Sequence, residues 1–100
     1  MPDANLEPRP ATGRDLLCFR HPRLWQHWPF LPVVRRHPDG TADYGVLYDC
    51  WTVARRGGYS ATVILSNIFL LPPTEDRLLA LPKEVFDTAE ELAAAGWRVD

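Results

Sequence analysis

The segment from Tyr59 to Leu71 has apolar side chains on both faces of a predicted strand, and this pattern limits the fold more than any other feature. The segment is rich in β-branched and aromatic residues, which favour strands. Successive side chains of a strand point to opposite faces of its sheet. One face would carry Tyr59, Ala61, Val63, Leu65, Asn67, Phe69 and Leu71, and the other Ser60, Thr62, Ile64, Ser66, Ile68 and Leu70. A sheet that is apolar on both faces has to be covered on both faces.

A second strand-like segment, Tyr44 to Ala54, precedes the first and is joined to it by Arg55-Arg56-Gly57-Gly58. Two such segments around a short glycine-containing link predict a β-hairpin. The second segment of this hairpin is longer than an ordinary strand, so we expect a bend near Ser66-Asn67.

Proline excludes a regular helix from His21 to Arg36, because Pro22, Pro29 and Pro32 interrupt that segment. Its apolar residues favour extended backbone. Since proline cannot donate to a ladder of hydrogen bonds, this strand is expected at an edge of the sheet or beside one. The following His37-Pro38-Asp39-Gly40 has the composition of a type I turn.

The last helix is predicted over residues 88–95, with Asp87 as its N-cap and Gly96 as its left-handed C-terminal residue. Trp97 is then expected to fold back on Leu92, as in the common closing motif of helices. The body of this predicted helix consists of good helix formers.

The remaining elements complete the predicted α+β domain. Thr74 is expected to cap a short helical turn that ends before Pro82, and Lys83 to Phe86 is expected to be extended. Residues 1–15 are rich in proline and charge, which predicts a flexible tail. Residues 16–100 then form a single α+β domain, with a small antiparallel sheet of three to four strands and a short C-terminal α-helix packed on one face.

This amount of helix covers one sheet face at most, so the sequence predicts an apolar surface that another chain covers. Either the first twenty residues cross the second face, or a partner does; a symmetric homodimer is the commonest such solution. We therefore expect a non-catalytic interaction or accessory domain that self-associates or binds an unidentified protein partner. The candidate interaction surface comprises Trp25, Trp28, Phe30, Arg35, Arg36, Tyr48, Trp51 and Tyr59.

A single-stranded nucleic-acid-binding domain is the alternative, because arginines accompany the aromatic residues of the predicted sheet. Phosphate attraction and base stacking are what such binding requires. Residues 1–73 hold eight arginines and six acidic residues, whereas residues 74–100 hold three basic and seven acidic residues. The net charge of the whole chain is −2, which argues against a protein that coats polyanions.

A small enzyme is the third interpretation, and no catalytic, cofactor-binding or metal-binding residues can be assigned. Cys18 and His21 have half of a zinc-ligand spacing, but no second close pair follows them. Cys50 follows Asp49, whose charge would not favour a thiolate. None of the six glycines forms a phosphate-binding pattern.

The N-terminal sequence has neither the basic start nor the apolar run of a signal peptide, so we expect a cytoplasmic protein. The most apolar stretch, residues 61–71, is far shorter than the roughly 20 residues of a membrane helix, so no membrane contact is expected. Two cysteines are too few for a disulfide framework.

Overall fold

The computed structural model describes residues 10–49 and 60–100, which form an antiparallel sheet and three short α-helices. The strands are β1 (Phe30–Arg36), β2 (Ala42–Tyr48), β3 (Ala61–Ile64), β4 (Lys83–Phe86) and β5 (Trp97–Val99). The helices are α1 (Gly13–Arg20), α2 (Glu75–Leu79) and α3 (Ala89–Ala94). Single 3₁₀ turns span Pro22–Leu24 and Ile68–Leu70.

The described sheet has five strands in the order β4-β3-β2-β1-β5, and every neighbouring pair is antiparallel. The predicted antiparallel α+β class is confirmed, but the predicted number of three to four strands is too low. The additional strand is β5. The sequence interpretation treats Trp97 only as the residue that closes the last helix, whereas Trp97 also begins a strand opposite Arg35.

The β1–β2 hairpin turns where the sequence predicts. The amide of Gly40 donates to the carbonyl of His37 at 3.0 Å, and Gly40 has a φ of 91°. Beyond it, Arg36 lies opposite Ala42. Left-handed backbone at the end of the turn is accessible to glycine without steric cost.

The predicted pairing of the next two segments is also present, because β2 and β3 are antiparallel neighbours with Leu47 opposite Val63. The proposed link, residues 55–58, lies outside the described residues. β3 ends at Ile64, and the chain bends at residues 65 and 66, close to the expected position. Phe69 and Leu71 therefore do not belong to this strand.

β1 lies beside the edge strand β5, as its prolines allow. The carbonyl of Pro32 faces β5 and accepts a hydrogen bond from the amide of Asp100 at 3.1 Å. In an antiparallel pair the nitrogen and carbonyl of one residue face the same neighbour. The imide nitrogen of Pro32 therefore faces the short edge strand rather than β2, and no ladder bond to β2 is lost.

Helix α1 begins inside the segment that the sequence assigns to a tail. The Thr12 side chain accepts from the Asp15 amide, and the Asp15 carboxylate accepts from the Thr12 amide, which forms a capping box. Asp15 is buried, and its Oδ1 accepts a hydrogen bond from the amide of Val99 in β5 at 3.0 Å. Residues 12–15 are thus tied to the sheet by a contact with the other end of the chain, while residues 1–9 lie outside the described residues.

Helix α3 is capped by Thr88 rather than by Asp87, so the predicted N-cap is wrong by one residue. The Thr88 hydroxyl accepts from the Glu91 amide at 3.0 Å. Starting the helix at Ala89 directs Ala89, Leu92 and Ala93 into the core, at the spacing of one helix face. Gly96 has a φ of 100°, as predicted for the C-terminal end.

The two sheet faces are covered unequally. On the helical face, Phe19 of α1 and Leu92 of α3 share a buried cluster with Val33, Val63 and Trp97 of the sheet. On the opposite face, a smaller cluster joins the sheet to α2 and to neighbouring loop residues; its members are Tyr48, Ile64, Leu78, Phe30, Leu71, Leu79 and Leu81. Helix α1, which the sequence interpretation did not foresee, adds to the cover of the helical face, and α2 covers only part of the opposite face.

Candidate interaction surface

Two of the aromatic residues that the sequence places on an interaction surface are buried instead. Trp25 belongs to the core under the helical face, and its Nε1 donates to the carbonyl of Cys18 at 2.6 Å. Tyr48 is buried on the opposite face, where its hydroxyl donates to Glu75 Oε2 at 2.7 Å. Both polar groups are satisfied within the chain, so neither ring is available to a partner.

The next two aromatic residues are partly accessible. Trp28 is half exposed, and its Nε1 donates to Asp49 Oδ2 at 2.8 Å. Phe30 is half-buried and stacks on Tyr48 with ring centroids 5.4 Å apart. Trp51 and Tyr59, the other two predicted aromatic residues, lie outside the described residues.

The two predicted arginines point to opposite faces, because they are consecutive residues of β1. Arg36 is exposed at the end of that strand. Arg35 reaches across the helical face, and its Nη1 and Nη2 donate to the two carboxylate oxygens of Glu84 at 2.9 and 3.0 Å. Its Nε also donates to Asp43 Oδ2 at 3.0 Å. A guanidinium held by two carboxylates is not a free site for phosphate.

Arg35, Glu84 and Asp43 form a charged cluster in which the pKa of both carboxylates is lowered. The hydrogen bond from Arg35 lowers the pKa of Glu84 below its ordinary value, and the indole of Trp97 adds a second donor at 3.2 Å. The pKa of Asp43 is lowered by its hydrogen bond with His37, at 2.9 Å, and then by Arg35. These pairs stabilise the ionised carboxylates and connect β1, β2 and β4.

The indole of Trp97 lies beneath this cluster and is fully buried. Arg35 Cζ is 4.4 Å from its ring centroid, within the range of a cation–π contact. The ring can lie this close to the backbone of β2 because Gly45 has no side chain. A Cβ at this position would stand 3.2 Å from Trp97 Cη2 and 2.7 Å from Val63 Cγ1. The helical face at this point is a packed structural cluster.

The accessible apolar surface lies elsewhere, around a groove of about 800 Å³ between β1 and the Ile68–Leu70 turn. Its walls comprise His27, Phe30, Pro32, Ile68, Phe69, Leu71, Pro72 and Asp100. A smaller depression of about 280 Å³ shares several of these residues and extends to Tyr44. The volume of the larger groove is typical of sites that accept a ligand or a few side chains of a partner.

Phe69 and Leu70 form a protrusion on the rim of this groove, with 88% and 74% of their surface exposed. Asn67 begins the turn by accepting the Phe69 amide at 2.9 Å, and Pro72 follows it. Side chains of a 3₁₀ turn point in three directions, so three consecutive apolar residues cannot all face the core. We call Phe69 and Leu70 the apolar knob.

The sequence interpretation missed the apolar knob, because it assigned these residues to a strand. The combination of Asn67, a residue that favours caps, with the Pro72-Pro73 pair was the available signal that the strand had already ended. Tyr44, which is 58% exposed beside the smaller depression, also lies outside the interaction surface that the sequence predicts.

Within residues 10–49 and 60–100, no three histidine, cysteine or acidic side chains are grouped as a metal site. The helices of this described part are all too short or too polar to cross a membrane. Comparisons with protein-family models, with curated proteins and with solved structures found no match to this chain.

Proposed function

We propose that this chain is a non-catalytic interaction domain that self-associates through the apolar knob and the groove beside it. The observation that carries the proposal is the exposure of Phe69 and Leu70 next to an apolar groove. Burying a side chain of this size is worth about 1.5–3 kcal/mol. Two adjacent residues of this kind favour association when a complementary apolar surface is available.

The charge distribution supports a protein partner. Of the eight residues that line the groove, only His27 and Asp100 are titratable. Arg35, near the end of β1, is held by Glu84 and Asp43 on the other face. The core of a protein–protein interface is similarly depleted of charge.

Sedimentation velocity over a range of concentrations tests the proposal. We expect the mass to rise from 11.4 kDa towards twice that value in the micromolar range. Replacing both knob residues by serine should keep the chain monomeric. Leu24→Ser is the matched control, since Leu24 is 53% exposed in another 3₁₀ turn and does not line the groove. A wild-type chain that stays monomeric at high micromolar concentration contradicts the proposal.

Single-stranded nucleic acid is the second candidate ligand, and one observation on the sheet face that carries the groove favours it. Arg36 and Tyr44 are exposed, and their registers, opposite Ala42 and Val34, place them on one face. A cation beside an exposed ring suits a phosphate and a stacked base. Fluorescence anisotropy with a labelled single-stranded oligonucleotide at low salt should then show binding that Arg36→Ala weakens and that added salt abolishes. No binding at low salt removes this candidate.

A further inference from the structure

The apolar knob and the groove lie side by side on one surface, which therefore carries both a projecting and a receiving apolar element. We propose that the occupant of the groove is a second copy of this chain, whose Phe69 and Leu70 insert while its own groove receives the knob of the first. This inference rests on the proposed self-association and specifies its geometry.

Symmetry favours a second copy over an unrelated partner. In a two-fold interface one patch contacts the same patch of the other subunit, so each contact made by a residue is repeated. A surface with only a knob or only a groove would need a different protein to complement it. This surface supplies both parts, so two copies bury both knobs and fill both grooves.

The dimensions of the surface are consistent with this exchange. Six of the eight groove residues are apolar, which suits an apolar insert rather than a charged peptide. The exposed parts of Tyr44, Phe69 and Leu70 amount to about 400 Å², given side chains of roughly 200 Å² each. A standard interface buries about 800 Å² of each partner, so these residues supply about half and the groove walls can supply the rest.

Two single variants separate the parts of the interface. Leu70→Asp places a charge on the knob without changing the groove, which Leu70 does not line, and Pro32→Lys places a charge in the groove wall. Because Leu70 is largely exposed and Pro32 is only partly buried, both chains should fold, which circular dichroism and urea unfolding would verify. Each variant alone should weaken the dimer about thirtyfold or more, as the loss of a central apolar anchor does.

Mixing the two variants tests the exchange itself. The mixed dimer keeps one intact insertion, the knob of the Pro32→Lys chain in the unaltered groove of the Leu70→Asp chain. Its second contact brings Asp and Lys together. Native mass spectrometry should therefore show the mixed dimer at least about tenfold above the level expected from random pairing. Mixing Leu24→Asp with Pro32→Lys is the control and should show no such preference.

The outcomes are distinguishable. If the wild-type chain is monomeric, the groove belongs to a different partner, and both the proposed function and this inference are overturned. If the wild-type chain dimerises and Leu70→Asp dimerises equally well, self-association stands but uses another surface, and both the inference and the surface named in the proposed function fail. If both variants weaken the dimer but the mixture shows no preferred mixed species, the two surfaces meet without exchange, which also overturns the inference.

Discussion

Gly45→Ala is expected to destabilise the fold, although the change adds only one methyl group. The new Cβ would stand 2.7 Å from Val63 Cγ1, 3.2 Å from Trp97 Cη2 and 3.3 Å from the carbonyl oxygen of Ile64. Carbon atoms in contact prefer separations of about 3.5–4.0 Å. At least one of these neighbours must therefore move.

The size of the destabilisation depends on which neighbours of the new Cβ can move. Val63 and Trp97 are fully buried in one cluster, and the Ile64 oxygen belongs to the backbone of β3. Overpacking of such a site costs about 1–3 kcal/mol in free energy of unfolding. In a domain of this size each 1 kcal/mol corresponds to about 4–8 °C in melting temperature. Displacing Trp97 would also disturb its hydrogen bond to Glu84, so we expect the upper half of this range.

Urea unfolding monitored by tryptophan fluorescence would measure the loss. Gly13→Ala is the matched control: nothing lies within 4 Å of its added Cβ, and alanine favours the first turn of α1, so stability should stay the same or rise by up to about 1 kcal/mol. The double variant Gly45→Ala/Val63→Ala should be more stable than the two single losses added together, because the closest contact is relieved. A Gly45→Ala chain as stable as wild type, or strictly additive losses, would refute the proposed close packing beneath Trp97.

Two further predictions concern charge and capping. The pKa values of Asp43 and Glu84 are lowered in the folded chain from ordinary values of 3.8 and 4.5, so the unfolded chain takes up protons first as the pH falls. The free energy of unfolding should therefore decrease as the pH falls through and below this range. In acid titrations followed by circular dichroism, Arg35→Gln should make this decrease less steep. An unchanged slope would show that Arg35 does not stabilise the ionised carboxylates. In urea titrations, Thr88→Ala should lower the free energy of unfolding by about 0.5–2 kcal/mol, because the helix loses its N-cap. Asp87→Ala should lower it clearly less. Equal losses would argue against Thr88 as the N-cap.

The local features of this fold could be predicted from the sequence because their causes lie within a few residues. The His37–Gly40 turn depends on a proline and a glycine in one short segment. Gly96 ends its helix for a similarly local reason, and Thr74 caps α2 by accepting the Arg77 amide. The N-cap of the last helix is predicted one residue too early, since two neighbouring residues, Asp87 and Thr88, are both good caps. The start of α1 is a local feature that the sequence prediction misses, although its capping box lies within residues 12–15.

The other features that escaped prediction depend on residues far apart in the chain. The burial of Asp15 is explained by the Val99 amide, 84 residues away. Composition likewise cannot distinguish an aromatic residue in the core, such as Trp25, from one that faces solvent, such as Phe69. The sequence leads to the expectation of apolar area that the chain leaves uncovered, but which apolar residues are exposed depends on where β3 ends.

The sheet order also bears on how this chain assembles. Strands β4 and β5 form opposite edges, about 19 Å apart across four strand spacings, yet only residues 87–96 join them. The β1–β2 hairpin needs contacts only within its own short stretch of chain and can form early. The described sheet cannot have both of its edge strands until residues 83–99 have left the ribosome. We therefore expect chaperone binding to nascent chains, measured by ribosome profiling of chaperone-associated translation, to persist until residues 83–99 have emerged.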